Sequence, residues 1–148
     1  MDSTVIQTAD ALTTAINQID WPDGLMLAAT RAYRVENSPS GLVEPKLSVV
    51  PKGFKKVLAS RAQTQRDVLI DVGFQKKVAA AEGAAQLAEL DSLMGLVELI
   101  SEQIFKLRLT NPDAIATEVQ NDPVYYPDHL EHSSVFTSVL TFTFRLIG

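Results

Sequence analysis

The chain has 148 residues, no cysteine and a formal net charge of -5. This length is typical of a single domain, so we expect residues 1–148 to form one domain without a disulfide or a metal. Without cysteine there is no thiol nucleophile and no cysteine-type zinc site. The N-terminal stretch lacks the features of a secretory signal, and no apolar run approaches the ~18–20 residues of a membrane helix, so we expect a soluble protein made inside the cell.

Apolar residues recur at three- and four-residue steps in two segments, a spacing typical of amphipathic helices. The first predicted helix covers residues 4–19 and is stopped by the turn residues of DWPDG. The second covers about residues 88–108 and ends before Asn111-Pro112. The apolar stripes consist of Val5, Ala9, Leu12, Ile16 and Ile19 in the first helix, and of Leu90, Leu93, Met94, Val97, Ile100, Ile104 and Leu107 in the second.

Alternating apolar residues predict strands at 25–35, 47–50 and 66–78, a short strand near 114–120 and a last strand at the C-terminal end. We expect Pro51 to end the second of these strands, because proline cannot donate a hydrogen bond to the ladder. The last strand, in SSVFTSVLTFTFRLIG, combines an apolar row on one face with a row rich in threonine on the other. It is the strongest strand signal in the chain.

This order of helices and strands is typical of an α+β fold. We expect a mostly antiparallel sheet of about four to five strands, with the two main helices packed on one face. The predicted core consists of Val68, Ile70, Val72, Phe142 and Phe144 from the strands and of Leu93, Val97, Ile100 and Ile104 from the second helix.

The HLEH motif is the first candidate for chemistry, because His129 and His132 are three residues apart. On a helix, this spacing could hold a divalent cation. The alternative is a polar turn ahead of the last strand, and we favour it because no further ligand is fixed by spacing. The acidic residues near the two histidines are Asp122, Asp128 and Glu131.

Asp67 and Asp71 lie on one face of a predicted strand, with their Cα atoms ~13 Å apart. Carboxylate pairs that cleave a glycosidic bond are ~5–9.5 Å apart, so we expect these two to be solvent-facing or interfacial charges. The chain also lacks a P-loop, a Gly-x-Ser-x-Gly motif and a dinucleotide-binding glycine pattern. We therefore predict no catalytic residue, no cofactor and no metal, and hence no enzyme.

Basic residues are concentrated in the middle of the chain, where residues 46–77 contain eight basic and two acidic side chains. Only Phe54 and Phe74 are aromatic there, too few for a surface that stacks single-stranded nucleic acid. One interpretation is a solvated segment, and the other is an arm at 52–65 that protrudes and docks on an acidic neighbour. The residues we assign to this candidate interface are Lys52, Lys55, Lys56, Arg61 and Arg66.

Four segments, SVVPKG, SRAQTQRDVLIDVGFQKK, LDSLMGLVELISEQI and DPVYYPDHLEHSSVFTSVLTFTFRL, resemble in this order the tail terminator proteins of long-tailed bacteriophages. The likeness extends from about residue 5 to residue 148 and contains no catalytic signature. It implies a small α+β protein, grouped with head–tail joining and minor tail proteins, that forms a ring, usually a hexamer. The ring would cap the tail tube, end tube polymerisation and join the tail to the head connector.

The resemblance also implies a place in the tail or neck of a virion assembled in the host cytoplasm. The implied partners are further copies of the chain, the tail tube protein and the head connector or stopper protein, with no membrane. Genomic DNA would only pass through the lumen, whose wall we expect to be acidic, and we predict no sequence-specific DNA binding. Two alternatives remain: a head-completion or stopper protein of the neck, and a small-ligand-binding or metal-dependent domain that uses the HLEH loop.

Overall fold

The computed structural model describes residues 1–35, 42, 44–79, 83–121, 125–127, 129–130 and 134–147. The helices are α1 (Thr4–Asn17) and α2 (Gly83–Phe105), with a 3-10 turn at Pro22–Gly24. The strands are β1 (Ala28–Arg31), β2 (Lys46–Leu58), β3 (Thr64–Lys77), β4 (Arg108–Leu109), β5 (Ala114–Asn121) and β6 (Val135–Leu146). Within these described ranges, the strands form one sheet in the order β1-β2-β3-β6-β5-β4. The β1–β2 pair is parallel and the other pairs are antiparallel.

The α+β class and the mostly antiparallel sheet are confirmed, whereas the predicted number of four to five strands is wrong, because the described sheet has six. The strand that we did not predict is β4, which begins inside the expected second helix. α2 ends at Phe105, and the extended backbone that follows pairs Leu109 with Ala114 at the edge of the sheet. The physical reason is burial, since this pairing places the side chain of Leu109 in the core.

One hydrophobic core lies between the sheet and the two helices. All nine predicted core residues are buried in it, together with Ala9, Leu12 and Ile16 of α1. The strand residues of this core alternate along β3 and β6, so they point to one face of the sheet. Because both helices contribute to the same cluster, both cover that face, as predicted. We call it the helix side.

α1 begins and ends with specific polar contacts. The side chain of Ser3 accepts a hydrogen bond from the backbone N–H of Ile6 at 3.3 Å, which satisfies one of the free donors of the first turn. At the other end, the amide side chain of Asn17 both accepts from and donates to the backbone of Ala29, at 2.8 and 3.0 Å. These two bonds hold the end of the helix against β1.

β2 is much longer than the predicted strand at 47–50, and the expectation that Pro51 ends it is wrong. The strand continues to Leu58 because the pairing register with β3 shifts between Pro51 and Gly53. Such a bulge accommodates a residue that cannot donate to the ladder, and it leaves the flanking residues free to pair.

β1, in contrast, is shorter than the predicted strand at 25–35. After Arg31 the chain leaves the sheet, and Tyr33, which lies inside the predicted strand, is exposed. Val35 then lies over the sheet face opposite the helices. Its side chain occupies the space that a Cβ atom on Gly73 would need.

We expect Gly73→Ala to lower the free energy of unfolding by about 1–3 kcal/mol, because the new methyl group would overlap the side chain of Val35. Urea denaturation measures this loss. Gly95→Ala is the matched control: nothing lies within 4 Å of its added Cβ, so the same change in an exposed helix should stabilise the protein by up to ~1 kcal/mol. Equal stability of Gly73→Ala and the wild type would mean that Val35 does not pack there.

Candidate interaction site on a protruding hairpin

β2 and β3 form a hairpin whose end extends beyond the rest of the sheet. β1 pairs with β2 only as far as Val49, and β6 pairs with β3 only as far as Asp67. β2 and β3 remain paired with each other as far as Leu58 and Thr64. We call residues 52–66 the arm. Within the described part of the chain, no third strand pairs with any of its residues.

The bulge in β2 decides which way the side chains of the arm point. Because of the register shift, Phe54 rather than Gly53 lies opposite Val68, whose side chain is buried on the helix side. A shift of one residue exchanges the two faces of a strand, so the side chains beyond the bulge alternate from Phe54 onward. The helix-side surface of the arm therefore consists of Phe54, Lys56 and Leu58 of β2 and of Thr64 and Arg66 of β3.

Of the five basic residues predicted as an interface, the structure brings two together on the helix-side surface of the arm. Lys56 and Arg66 lie directly opposite each other on paired strands. The ammonium group of Lys56 also lies 5.7 Å from the ring centroid of Phe54. Like charges directly opposite each other disfavour the isolated arm. The pair would be stabilised by carboxylates from another chain.

The other three basic residues lie apart from this pair. Lys55 points to the opposite face of the arm, where its register partner is Asp67. The Nζ atom of Lys52 is 3.8 Å from a carboxylate oxygen of Asp71, so this ion pair lies at the base of the arm. Arg61 is exposed in the loop at the tip. The predicted basic patch is thus distributed over both faces and the tip.

Three exposed hydrophobic side chains of the arm were missed by the sequence analysis. Phe54 is 66% exposed, Leu58 is 72% exposed and Val57 is 41% exposed. The three apolar residues of FKKVL are visible in the sequence, but their exposure is not, because the pattern of this stretch does not alternate. Large apolar side chains grouped on a protruding hairpin mark a surface that binds another molecule.

A groove of about 260 Å³ lies at the base of the arm, between the arm and the start of α1. It is lined by apolar side chains, with basic side chains nearby. The apolar residues are Val5, Phe54, Val68 and Leu146, and the basic residues on the same face of the arm are Lys56 and Arg66. Lys55 and Asp67 also border the groove, but they belong to the opposite face. This arrangement suits a partner that carries an apolar side chain next to carboxylates.

The sheet face opposite the helices carries the two aspartates considered above, and the prediction of solvent exposure is wrong for Asp67. Asp67 is only 7% exposed, and its Oδ1 accepts a hydrogen bond from Nε of Arg145 at 3.2 Å. Asp71 is half-buried, and it accepts a hydrogen bond from the hydroxyl of Thr141 at 2.6 Å. Both carboxylates bind β6, a strand about 70 residues later in the chain, which local spacing could not reveal.

The HLEH motif is only partly described by the structure. His129 contacts the hydroxyl of Thr137 through its Nδ1 atom at 2.8 Å, and its ring lies 5.1 Å from that of Tyr126. The other members of the predicted cluster, His132, Asp122, Asp128 and Glu131, lie outside the described residues. Among the residues that are described, no group of three or more His, Asp or Glu side chains is placed to hold a metal ion.

The comparisons with known proteins assign this chain to no family. No protein-family model matches the chain, and a search of curated proteins found no significant match. One solved structure, whose name states no function, aligns over 100% of this chain and 97% of its own chain, with 15% sequence identity and a TM-score of 0.44. A likeness at this TM-score supports no conclusion about fold or function. In the described ranges, neither helix is both long enough and apolar enough to cross a bilayer.

Proposed function

We propose that this protein is a structural virion protein whose subunits form a ring, usually a hexamer, that caps the tail tube of a long-tailed bacteriophage. The ring ends tube polymerisation and joins the tail to the head connector. The proposal combines the resemblance of four sequence segments to tail terminator proteins with one structural observation, which is the arm.

The arm supports an assembly role because its apolar side chains stay in contact with water in an isolated monomer. It exposes Phe54 and Leu58 to water and has no flanking strand along its described length. Large exposed apolar side chains that are grouped on one protruding hairpin are typical of surfaces that bind another molecule. A subunit that docks this surface on another chain buries these apolar side chains.

The overall charge supports a ring that DNA passes through without binding. The chain has 18 acidic and 13 basic residues, and affinity for duplex DNA depends largely on basic side chains that release counterions. We therefore expect duplex binding no tighter than the non-specific range of ~10⁻⁴–10⁻⁶ M at physiological salt. The same picture requires no catalytic residue and no cofactor.

Tube capping is the direct test of this function. We expect purified protein added to polymerising tail tube protein to stop elongation and to appear as a ring at the tube end in electron micrographs. Bovine serum albumin at the same concentration controls for crowding. Tubes that keep growing with bare ends would refute the proposal, and binding only to capsid connectors would indicate a head-completion or stopper protein instead.

A further inference from the structure

The helix-side surface of the arm has a specific chemistry, and this inference about its partner rests on the proposed ring. Two apolar side chains, Phe54 and Leu58, flank Lys56, and Arg66 lies beside Lys56 on the paired strand. A complementary surface needs a pair of carboxylates spaced like the two cations, with an apolar side chain close to them. The described residues of this chain contain such a surface on α2.

The outward face of α2 carries a continuous exposed stripe. Its residues recur at three- and four-residue steps, so they lie in line along the helix. The stripe consists of Leu87, Asp91, Gly95, Glu98, Glu102 and Phe105, all of them exposed. Leu87 and Phe105, at its two ends, are 63% and 40% exposed. Three carboxylates thus lie along the helix, and we call this set of six residues the acidic stripe. Its two apolar ends are ~27 Å apart, about twice the ~13 Å between Phe54 and Leu58, so only Phe105, close to Glu102, can meet the arm together with the carboxylates.

We propose that the arm of one subunit docks on the acidic stripe of α2 in the next subunit of the ring. Lys56 and Arg66 are opposite residues of antiparallel strands, with Cα atoms ~4.5–5.5 Å apart. Glu98 and Glu102 are four residues apart on a helix, with Cβ atoms ~5–6 Å apart. The two cations and the two carboxylates therefore have matching spacing.

The positions of the two surfaces in the fold also favour a ring. The arm continues from β2 and β3, which pack with α1, whereas α2 packs on β5 and β6 in the other half of the sheet. A contact between two different surfaces of identical subunits is head-to-tail, and such contacts close into rings when the rotation permits. Gly95, in the middle of the stripe, has open space above it where a partner backbone can approach.

A charge exchange between two variants tests this contact. The arm variant carries Lys56→Glu and Arg66→Glu, and the stripe variant carries Glu98→Lys and Glu102→Lys. Each variant alone meets like charges at every contact, so we expect its self-association to be roughly 10- to 100-fold weaker in sedimentation experiments. An equimolar mixture should associate about as tightly as the wild type when the two variants alternate in the ring. The acidic arm of the arm variant then meets the basic stripe of the stripe variant, and the basic arm of the stripe variant meets the acidic stripe of the arm variant.

Two single variants serve as controls outside the two surfaces. Lys77→Glu lies at the far end of β3, and Glu118→Lys lies on β5, so both should associate within about threefold of the wild type. Far-UV circular dichroism and urea denaturation should show that every variant is folded. Raising the salt concentration should weaken association of the wild type, because salt screens the attraction between the charges of the contact.

Several outcomes would overturn the inference. These are a mixture that associates no better than its components, a stripe variant that associates normally, a Glu118→Lys variant that does not associate, or a wild type that stays monomeric at its highest soluble concentration. Tube capping is scored separately with the same proteins. If the wild type caps tubes but the mixture does not associate, the proposed function stands and only this contact is refuted. If the mixture associates but the protein does not cap tubes, the contact stands and the proposed function is refuted.

Discussion

Phe142→Ala is expected to lower the free energy of unfolding by ~3–5 kcal/mol, the range for a fully buried phenylalanine. Phe142 lies in the middle of β6 with 0% of its surface exposed, and its register partners are Ile70 on β3 and Val119 on β5. Its ring also lies 6.1 Å from that of Phe144. Strands on both sides and helices above restrict collapse of the cavity, so little of the lost burial can be recovered.

Urea denaturation followed by circular dichroism measures this loss. Thr143→Ala is the matched control, because Thr143 is the next residue of the same strand and points to the face opposite the helices. We expect it to cost about 1 kcal/mol or less, the usual range outside a packed core. A loss below ~1 kcal/mol for Phe142→Ala would place that ring outside the core and contradict the predicted packing.

Reversing the charge of the arm should abolish the proposed ring assembly and leave the subunit folded. The variant replaces Lys52, Lys55, Lys56 and Arg61 with glutamate. All four side chains are exposed, and exposed ion pairs such as Lys52–Asp71 contribute only ~0–1 kcal/mol each, so the loss of stability should be small. Lys56 lies on the helix-side surface of the arm, so its attraction to an acidic partner becomes a repulsion, and the other three changes make the rest of the arm negative.

Light scattering after size-exclusion chromatography, with and without tail tubes, gives the mass of the assembled species. The control variant, Lys46→Glu with Lys77→Glu, changes exposed lysines at the far end of the same two strands. It should assemble like the wild type, which would show that added negative charge at the other end of the hairpin does not by itself prevent assembly. Virions of normal yield and tail length from the arm variant would contradict a role of the arm in assembly.

The local sequence determined the two helices, the strands β3 and β6 and the core of this protein. The periodicity of α1 and α2 and the alternation along β3 and β6 each report which side of an element is apolar, and burial then requires those sides to meet. For this reason all nine predicted core residues lie in one cluster. The overall concentration of basic residues around the arm was likewise visible in composition alone.

Only the tertiary structure decided where those charges and apolar side chains point. The bulge after Pro51 turns Phe54 and Lys56 to the helix side. A register shift of one residue exchanges the two faces of a strand, and the composition of the segment does not indicate such a shift. Asp67 and Arg145 are 78 residues apart in sequence, so no local pattern could predict their hydrogen bond. The arm itself exists because its flanking strands stop pairing at Val49 and Asp67, which depends on the lengths of β1 and β6 rather than on the residues of the arm.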